Sequence, residues 1–148
     1  MHRPCKVFNP FTCYYGVSVS SLGKIVRGSA SCSDLISCLY ALNSTEIDIF
    51  FSLYGMGEIT LETLSAAANR DKSTIHRILE KLVSAGLCFK DTRATEKGGF
   101  RNIYYTLSPE KLVEKLTYDG KRIIDGLDDA LRKFPENFKL RTGREIRK

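Results

Sequence analysis

The chain has 148 residues, enough for one domain with a hydrophobic core and too few for two domains of ordinary size. Hydrophobic residues make up 43% and charged residues 27%, a composition typical of globular rather than disordered proteins. No stretch approaches the ~18 to 20 apolar residues of a membrane span, and the first residues lack the apolar core of a signal peptide. These features predict a soluble, cytoplasmic domain with extensions and no membrane contact.

Lysine and arginine outnumber acids by 23 to 17, and the surplus is concentrated in two segments. Residues 70–101 hold eight basic residues against four acidic ones, and residues 132–148 hold seven against two. Such segregation is typical of a surface that faces a polyanion, although a solvated basic face without a ligand gives the same pattern.

The first clear helix signal is a capping box between Asn43 and Glu46, followed by apolar residues at helical spacing. Residues 1–41 form an extension that contains four of the five cysteines and whose structure the sequence leaves uncertain. Alternation at residues 15–19 favours a strand, and residues 33–42 favour a short helix.

Two further helices have the spacing of a helix-turn-helix. Thr60 is a plausible cap for a short helix over 61–68, and Asn69 tolerates the left-handed conformation that a sharp turn needs. Asp71 then caps a third helix, which ends at Gly86. Its apolar stripe consists of Ile75, Ile78, Leu79 and Leu82.

Two strands are predicted after the third helix, over 87–93 and 100–107, with a glycine-containing hairpin connection between them. A hairpin with a basic tip directly after a helix-turn-helix makes a wing. Cys88 is predicted to be a small buried residue of the first of these strands. The adjacent residues Tyr104 and Tyr105 must face opposite sides of the second strand. The predicted fold is therefore mainly α with a small β-wing, a winged helix-turn-helix domain over 42–107.

The last predicted helix begins at Pro109, with Ser108 as its cap, and ends near Phe134 and Pro135. Residues 108–134 thus form one helix and residues 135–148 a basic tail. The helix has an apolar stripe longer than one wing domain needs, so it predicts a homodimer with recognition helices about 34 Å apart, one turn of DNA. The expected interface residues are Leu112, Leu116, Ile123 and Leu127.

The polar side of the third helix predicts binding to double-stranded DNA, because the major groove is about as wide as a helix. Arg77 can make a bidentate contact to guanine, whereas hydroxyls and lysines suit phosphate oxygens. The wing adds candidate phosphate contacts, and Lys90 belongs to the same group. The predicted DNA-binding residues are Lys72, Ser73, Thr74, His76, Arg77, Lys81, Arg93, Lys97 and Arg101.

The segment NRDKSTIHRILEKL at 69–82 resembles the DNA-binding domain of archaeal TrmB-like and broader MarR-like transcriptional regulators. Gly86-Leu87, the Lys97-Gly98-Gly99 run and the tyrosine pair at 104–105 extend the resemblance, which spans about residues 42–117. It implies that Ser73, Thr74 and Arg77 contact DNA, and that Lys97 and its neighbours in the wing touch the backbone or the minor groove.

The chain departs from this family at three points. Asn69 stands where glycine is usual and Arg70 where an apolar residue is usual, so the turn is expected to pack differently. The large sugar-binding domain of longer members is missing, so the resemblance does not imply sugar sensing, and no effector is indicated.

No catalytic, metal or cofactor site is predicted, because two histidines and irregularly spaced cysteines offer no catalytic or ligand arrangement. Two alternatives to a DNA-binding regulator remain: a winged-helix module that binds proteins in a transcription or replication complex, and a regulator that senses redox state or metal. The second alternative uses the cysteines of the extension, Cys5, Cys13, Cys32 and Cys38.

Overall fold

A computed structural model describes residues 21–146 of the chain and confirms a mainly helical fold with a small antiparallel sheet. The described residues fall into two compact units, and the division lies between Asp48 and Ile49. The elements in chain order are α1 (Ser21–Val26), α2 (Cys32–Tyr40), α3 (Ser44–Tyr54), β1 (Ile59–Thr60), α4 (Leu61–Ala68), α5 (Lys72–Ser84), β2 (Cys88–Ala94), β3 (Phe100–Thr106) and α6 (Pro109–Thr142).

In the first unit, short-range hydrogen bonds define the helix starts. The predicted capping box is confirmed, because the Asn43 amide donates to Glu46 Oε2 at 2.9 Å and the Glu46 amide donates to Asn43 Oδ1 at 3.0 Å. An ion pair of 2.7 Å between Lys24 and Asp34 joins α1 to α2. Helix α2 lies where a short helix is predicted, α1 was not predicted, and the strand expected at 15–19 falls outside the described residues.

In the second unit, α5 is fixed by its apolar stripe. All four predicted stripe residues are buried, three of them with no exposed surface. They belong to a core with the side chains of α3, α4 and the sheet, among them Phe50, Leu53, Leu64 and Tyr104. Burial of several large apolar side chains along one helix holds that helix in a single orientation.

The turn between α4 and α5 forms without glycine, as predicted. Asn69 adopts a left-handed conformation, with φ of 49°, and its amide and that of Arg70 donate to carbonyls of the last turn of α4. The predicted caps are also present: Thr60 Oγ1 accepts from the Thr63 amide, and Asp71 accepts from the Thr74 amide. Both helix starts and the turn therefore follow from local chemistry.

The sheet has the order β1–β3–β2, with both pairs antiparallel. The predicted hairpin is confirmed, with Gly98 and Gly99 at positive φ in its turn, and the two-residue strand β1 was not predicted. Tyr104 is 1% exposed and Tyr105 is 37% exposed, so the two tyrosines face opposite sides as expected. Cys88 is buried, also as expected.

Helix α6 begins at the predicted cap Ser108 but continues to Thr142, so the predicted end at Phe134 and Pro135 is wrong. A proline removes one backbone donor, and the exposed side of a long helix tolerates this loss because water can bond the freed carbonyl. The helix ends at Gly143, which is left-handed and donates to the Lys139 carbonyl at 2.8 Å. No helix within residues 21–146 is long and apolar enough to span a membrane.

Candidate nucleic-acid interface

The face of α5 opposite its buried stripe is polar and open to solvent. Lys72, Ser73, His76 and Arg77 are exposed, whereas Thr74 is half-buried. The exposed group lies in the first two turns of the helix, and the backbone amides of the first turn have no carbonyl partner within the helix. Lys81 lies one turn further on and is half-buried.

The cap of α5 engages two of the predicted contact residues. The Ser73 hydroxyl donates to Asp71 Oδ1 at 2.5 Å, and the Thr74 hydroxyl donates to Asp71 Oδ2 at 2.6 Å. Together with the Thr74 amide, these hydroxyls hold the pKa of the Asp71 carboxyl well below its usual range. Because both hydroxyl protons are used inside the chain, Ser73 and Thr74 offer acceptors rather than donors to an incoming group.

Several basic residues near α5 have acidic neighbours. Lys72 lies 3.6 Å from Glu62, and Glu80 lies 3.7 Å from His76 and 3.1 Å from Lys90. Arg77 differs from them, because no carboxylate lies within 4.0 Å of its guanidinium among the described residues. Arg77 is thus the exposed cation of α5 that is available without breaking an ion pair.

The wing has two faces, which the strand register assigns. Lys90 and Phe100 lie on the same face of the hairpin as Cys88. This face is directed toward α5, because the Lys90 side chain forms an ion pair with Glu80 of α5. We call it the α5-side face. Arg93 and Arg101 stand opposite each other on the far face. The structure therefore separates these two predicted contacts from the face that the wing turns toward α5.

On the far face, Arg93 is held by acids. Its guanidinium donates to both carboxylate oxygens of Glu58, at 2.6 and 2.8 Å, and lies 3.4 Å from Asp91. Arg101 lies beside this pair at a cleft of about 390 Å³. The cleft is lined by Met56, Glu58, Ile59, Thr60, Thr63, Arg93, Arg101 and Ile103.

The tip of the wing exposes a residue that sequence reasoning missed. Phe100, directly after Gly98 and Gly99, is 79% exposed, and Lys97 in the same turn is exposed as well. An aromatic residue immediately after a Gly-Gly turn is the signal that was available in the sequence. Such a residue begins a strand where the neighbouring strand is ending, so little can cover it.

The stripe of α6 is unevenly covered. Leu112 and Leu116 are half-buried, whereas Ile123 is 48% and Leu127 is 60% exposed. Further apolar side chains continue the exposed part of the stripe along the helix, namely Ile124, Leu131 and Phe134. The predicted interface residues thus fall into a partly covered pair near the start of the helix and an exposed pair further along.

The cysteines within residues 21–146 are free. Cys32 is exposed, Cys38 is half-buried and Cys88 is buried. Burial raises the pKa of the Cys88 thiol to about 11, so this thiol stays protonated at neutral pH. Within the same residues no cluster of three potential metal ligands occurs, while Cys5 and Cys13 lie outside the described part of the chain.

Comparison with known proteins agrees with this arrangement. The family model of the sugar-specific transcriptional regulator TrmB matches residues 39–110. An uncharacterised protein of Methanocaldococcus jannaschii is 30% identical over 89 residues, which are 58% of this chain and 73% of that protein. A second protein of the same organism is 22% identical over 112 residues, which are 70% of this chain and 85% of that protein.

Two solved structures share the fold. A possible transcriptional regulator from Methanosarcina mazei gives a TM-score of 0.59 at 22% identity, over 68% of this chain and 85% of that chain. TrmBL2, an archaeal chromatin protein, gives a TM-score of 0.56 at 19% identity, over 75% of this chain and 40% of that chain.

The fold and the match to the TrmB family model together identify the class of the protein, a DNA-binding transcriptional regulator of the winged helix-turn-helix type. Within this class the chain is TrmB-like, because its residues 39–110 match the TrmB family model. The resemblance predicted from the segment at 69–82 is therefore confirmed.

The cap of α5 makes a testable contribution to pH dependence. Because the Asp71 pKa is lower in the folded chain than in the unfolded chain, its carboxylate stabilises the fold above the unfolded pKa of about 3.9, and this stabilisation is lost as pH falls. Asparagine caps helices nearly as well but does not titrate. The difference in free energy of unfolding between the wild type and Asp71→Asn should be constant above about pH 5 and should shrink below it.

Urea unfolding followed by circular dichroism at pH 7, 5, 4 and 3 measures this difference. A difference that stays constant from pH 7 to pH 3 would show that the Ser73 and Thr74 hydroxyls do not hold the carboxylate.

Proposed function

We propose that the chain acts as a homodimer that reads a specific sequence in double-stranded DNA, with α5 lying in the major groove. The observation that carries this proposal is the combination of a buried stripe and an exposed polar face on one short helix. An α-helix with its side chains is about 10–12 Å across, and the major groove is about 12 Å wide. A helix held rigidly from one side can present its other side to base edges.

Arg77 is the proposed base-reading residue. Its guanidinium is exposed and, among the described residues, has no acidic neighbour to displace. A guanidinium fork matches the O6 and N7 acceptors of guanine, so Arg77 would contribute sequence preference. Lys72 and His76, which have acidic neighbours at 3.6 and 3.7 Å, are proposed to exchange them for phosphate oxygens.

The remaining predicted residues are proposed in supporting roles. Ser73 and Thr74 keep the cap intact and can accept hydrogen bonds, for example from cytosine amino groups. Lys97 at the wing tip contacts the backbone, and Lys81 extends the basic side of the helix. Arg93 and Arg101 reach DNA only where it passes the far face of the wing, and Arg93 would have to leave Glu58 to do so.

The distribution of charge and the similarity to a DNA-binding protein of the same fold support the proposal. The segment 70–101 carries a surplus of four basic residues, which raises affinity for a polyanion without selecting a sequence. TrmBL2, which shares the fold, is described as a chromatin protein with a novel mode of DNA binding. Residues 42–107 would form the DNA-binding domain, followed by α6 as the dimerisation helix.

Dimerisation through α6 is supported by the exposed part of its stripe. A monomer rarely leaves several large apolar side chains in water along one helix face, and a second copy of the same helix covers them symmetrically. We place the proposed interface further along the helix than the sequence predicts, because Leu112 and Leu116 are already half-buried while Ile123 and Leu127 are exposed. Two-fold symmetry then matches a palindromic site.

The first prediction separates base reading from phosphate contact. Arg77→Ala should relax preference at one or two base pairs by roughly 1 to 3 kcal/mol, whereas Lys97→Ala should weaken all sequences alike. Arg122→Ala, in the exposed part of α6, serves as a matched control and should change neither.

Binding to duplexes selected from a random pool, measured by fluorescence anisotropy from 50 to 200 mM salt, tests these expectations. Wild-type affinity should fall steeply with salt, because released counterions accompany each phosphate contact. A flat salt profile would favour a protein-binding module instead, and equal uniform losses for both variants would make Arg77 a phosphate contact.

The second prediction concerns assembly. Ile123→Asp combined with Leu127→Asp should give a folded monomer that binds palindromic DNA far more weakly, because a charge buried without a partner is costly. Arg122→Asp introduces the same residue on another side of α6 and should leave the dimer intact.

Sedimentation together with circular dichroism measures both properties. A wild type that sediments as a monomer would remove the dimer from the proposal. A double variant that remains dimeric would place the interface away from the exposed stripe of α6.

A further inference from the structure

The proposed DNA-binding surface ends in an unusually exposed aromatic ring. Phe100 is 79% exposed and occupies the last rung of the hairpin, where its partner across the ladder is Ala94. The methyl group of alanine is too small to cover a phenyl ring. The ring therefore remains in water at the projecting end of the wing, where an apolar side chain has nothing to gain from folding.

The orientation of Phe100 links it to α5. Side chains alternate along a strand, so Phe100 lies on the α5-side face of the hairpin together with Lys90, which reaches Glu80 of α5 at 3.1 Å. A duplex that occupies the exposed face of α5 would meet the wing tip from this side. Arg93 and Arg101, on the far face, lack this relation to α5.

Cations flank the ring on both sides along the chain. Lys97 precedes it in the turn, and Arg101 follows it directly; both are exposed. Residues 92–102 carry three basic residues and one acidic residue. An apolar side chain beside a lysine at the projecting tip matches the minor groove, which is lined by phosphates at its edges and by stacked base pairs at its floor, whereas Arg101 points to the far face.

The other wing aromatics are differently placed, which singles out Phe100. Phe89 and Tyr105 stack on each other with ring centroids 5.5 Å apart, and each is less than two-fifths exposed. They lie opposite each other on the far face, away from the tip. Each of these two rings covers part of the other, whereas Phe100 has no stacked ring among the described residues.

We propose that Phe100 is an apolar wedge that enters the minor groove beside the major-groove site and inserts against a base step, bending the duplex. The proposal rests on the DNA binding proposed above and adds the deformability of DNA to what the protein recognises. The ring would leave water and pack against bases, while Lys97 in the adjoining turn neutralises phosphates along the groove. Flexible pyrimidine–purine steps would be preferred at this position although no hydrogen bond reads them.

The test uses the full chain and a duplex selected from a random pool, labelled with a fluorophore at each end. Energy transfer between the ends should report a bend of about 20–90° with the wild type. Phe100→Ala should straighten the duplex and lower affinity by roughly tenfold, the scale of one lost stacking contact. Phe100→Leu should keep most of the bend, since leucine also serves as a wedge.

Lys97→Ala is the matched control at the same tip. It should lower affinity and leave the bend unchanged, because it removes a charge and not the wedge. Thermal unfolding should be the same for all three variants, since both side chains are exposed. A Phe100 variant that unfolds at a lower temperature than the wild type would be replaced by Phe100→Ser.

Three results would overturn the wedge. Wild-type protein that binds without bending the duplex excludes it, and so does a bend that Phe100→Ala leaves unchanged. Loss of dimer on sedimentation of Phe100→Ala would make the ring a protein contact. Failure of the wild type to bind any duplex would instead defeat the proposed function itself, which separates the two claims.

Discussion

The structure depends on the burial of the apolar stripe of α5. Ile75, Leu79 and Leu82 are completely buried, and Ile78 is nearly so, which fixes both the position and the rotation of the helix. Rotation matters most, because a helix turned by a few tens of degrees would point Arg77 along the surface instead of outward. The cap at Asp71 and the glycine-free turn at Asn69 set where the helix begins. Core packing and caps together therefore decide which side chains a partner meets.

Around this fixed helix, the basic residues differ in how freely they can be used. The Arg93 guanidinium donates two hydrogen bonds to the Glu58 carboxylate, and Glu80 lies near both His76 and Lys90. Exposed ion pairs of this kind contribute little to stability and are weakened by salt, so a phosphate can replace the carboxylate. Arg77 needs no such exchange. In the proposed function, Arg77 is therefore the residue that reads sequence, and the basic residues with acidic neighbours would serve as adjustable contacts to the DNA backbone.

The sequence was informative where the determinants are local. The caps at Thr60, Asp71 and Ser108 were predicted from residue type at the start of a helical pattern, and the cap at Asn43 from its spacing to Glu46. The structure confirms all four. The end of α6 was predicted wrongly, because a proline on an exposed helix costs less than its local propensity suggests. The faces of the wing were beyond reach, since they depend on strand register and on Glu58, which pairs with Arg93 across 35 positions of sequence. The position of Phe100 directly after Gly98 and Gly99 was a signal of exposure in the sequence, but the face of the wing on which it lies follows only from the strand register.

Methylation protection by dimethyl sulfate on a selected duplex tests the central claim most directly, because the reagent attacks guanine N7, an acceptor exposed in the major groove. The account predicts that wild-type protein protects one or more guanine N7 atoms in each half-site. Arg77→Ala should restore their reactivity while the duplex stays bound at low salt. Full reactivity of every guanine N7 under saturating wild-type protein would contradict the placement of α5 in the major groove.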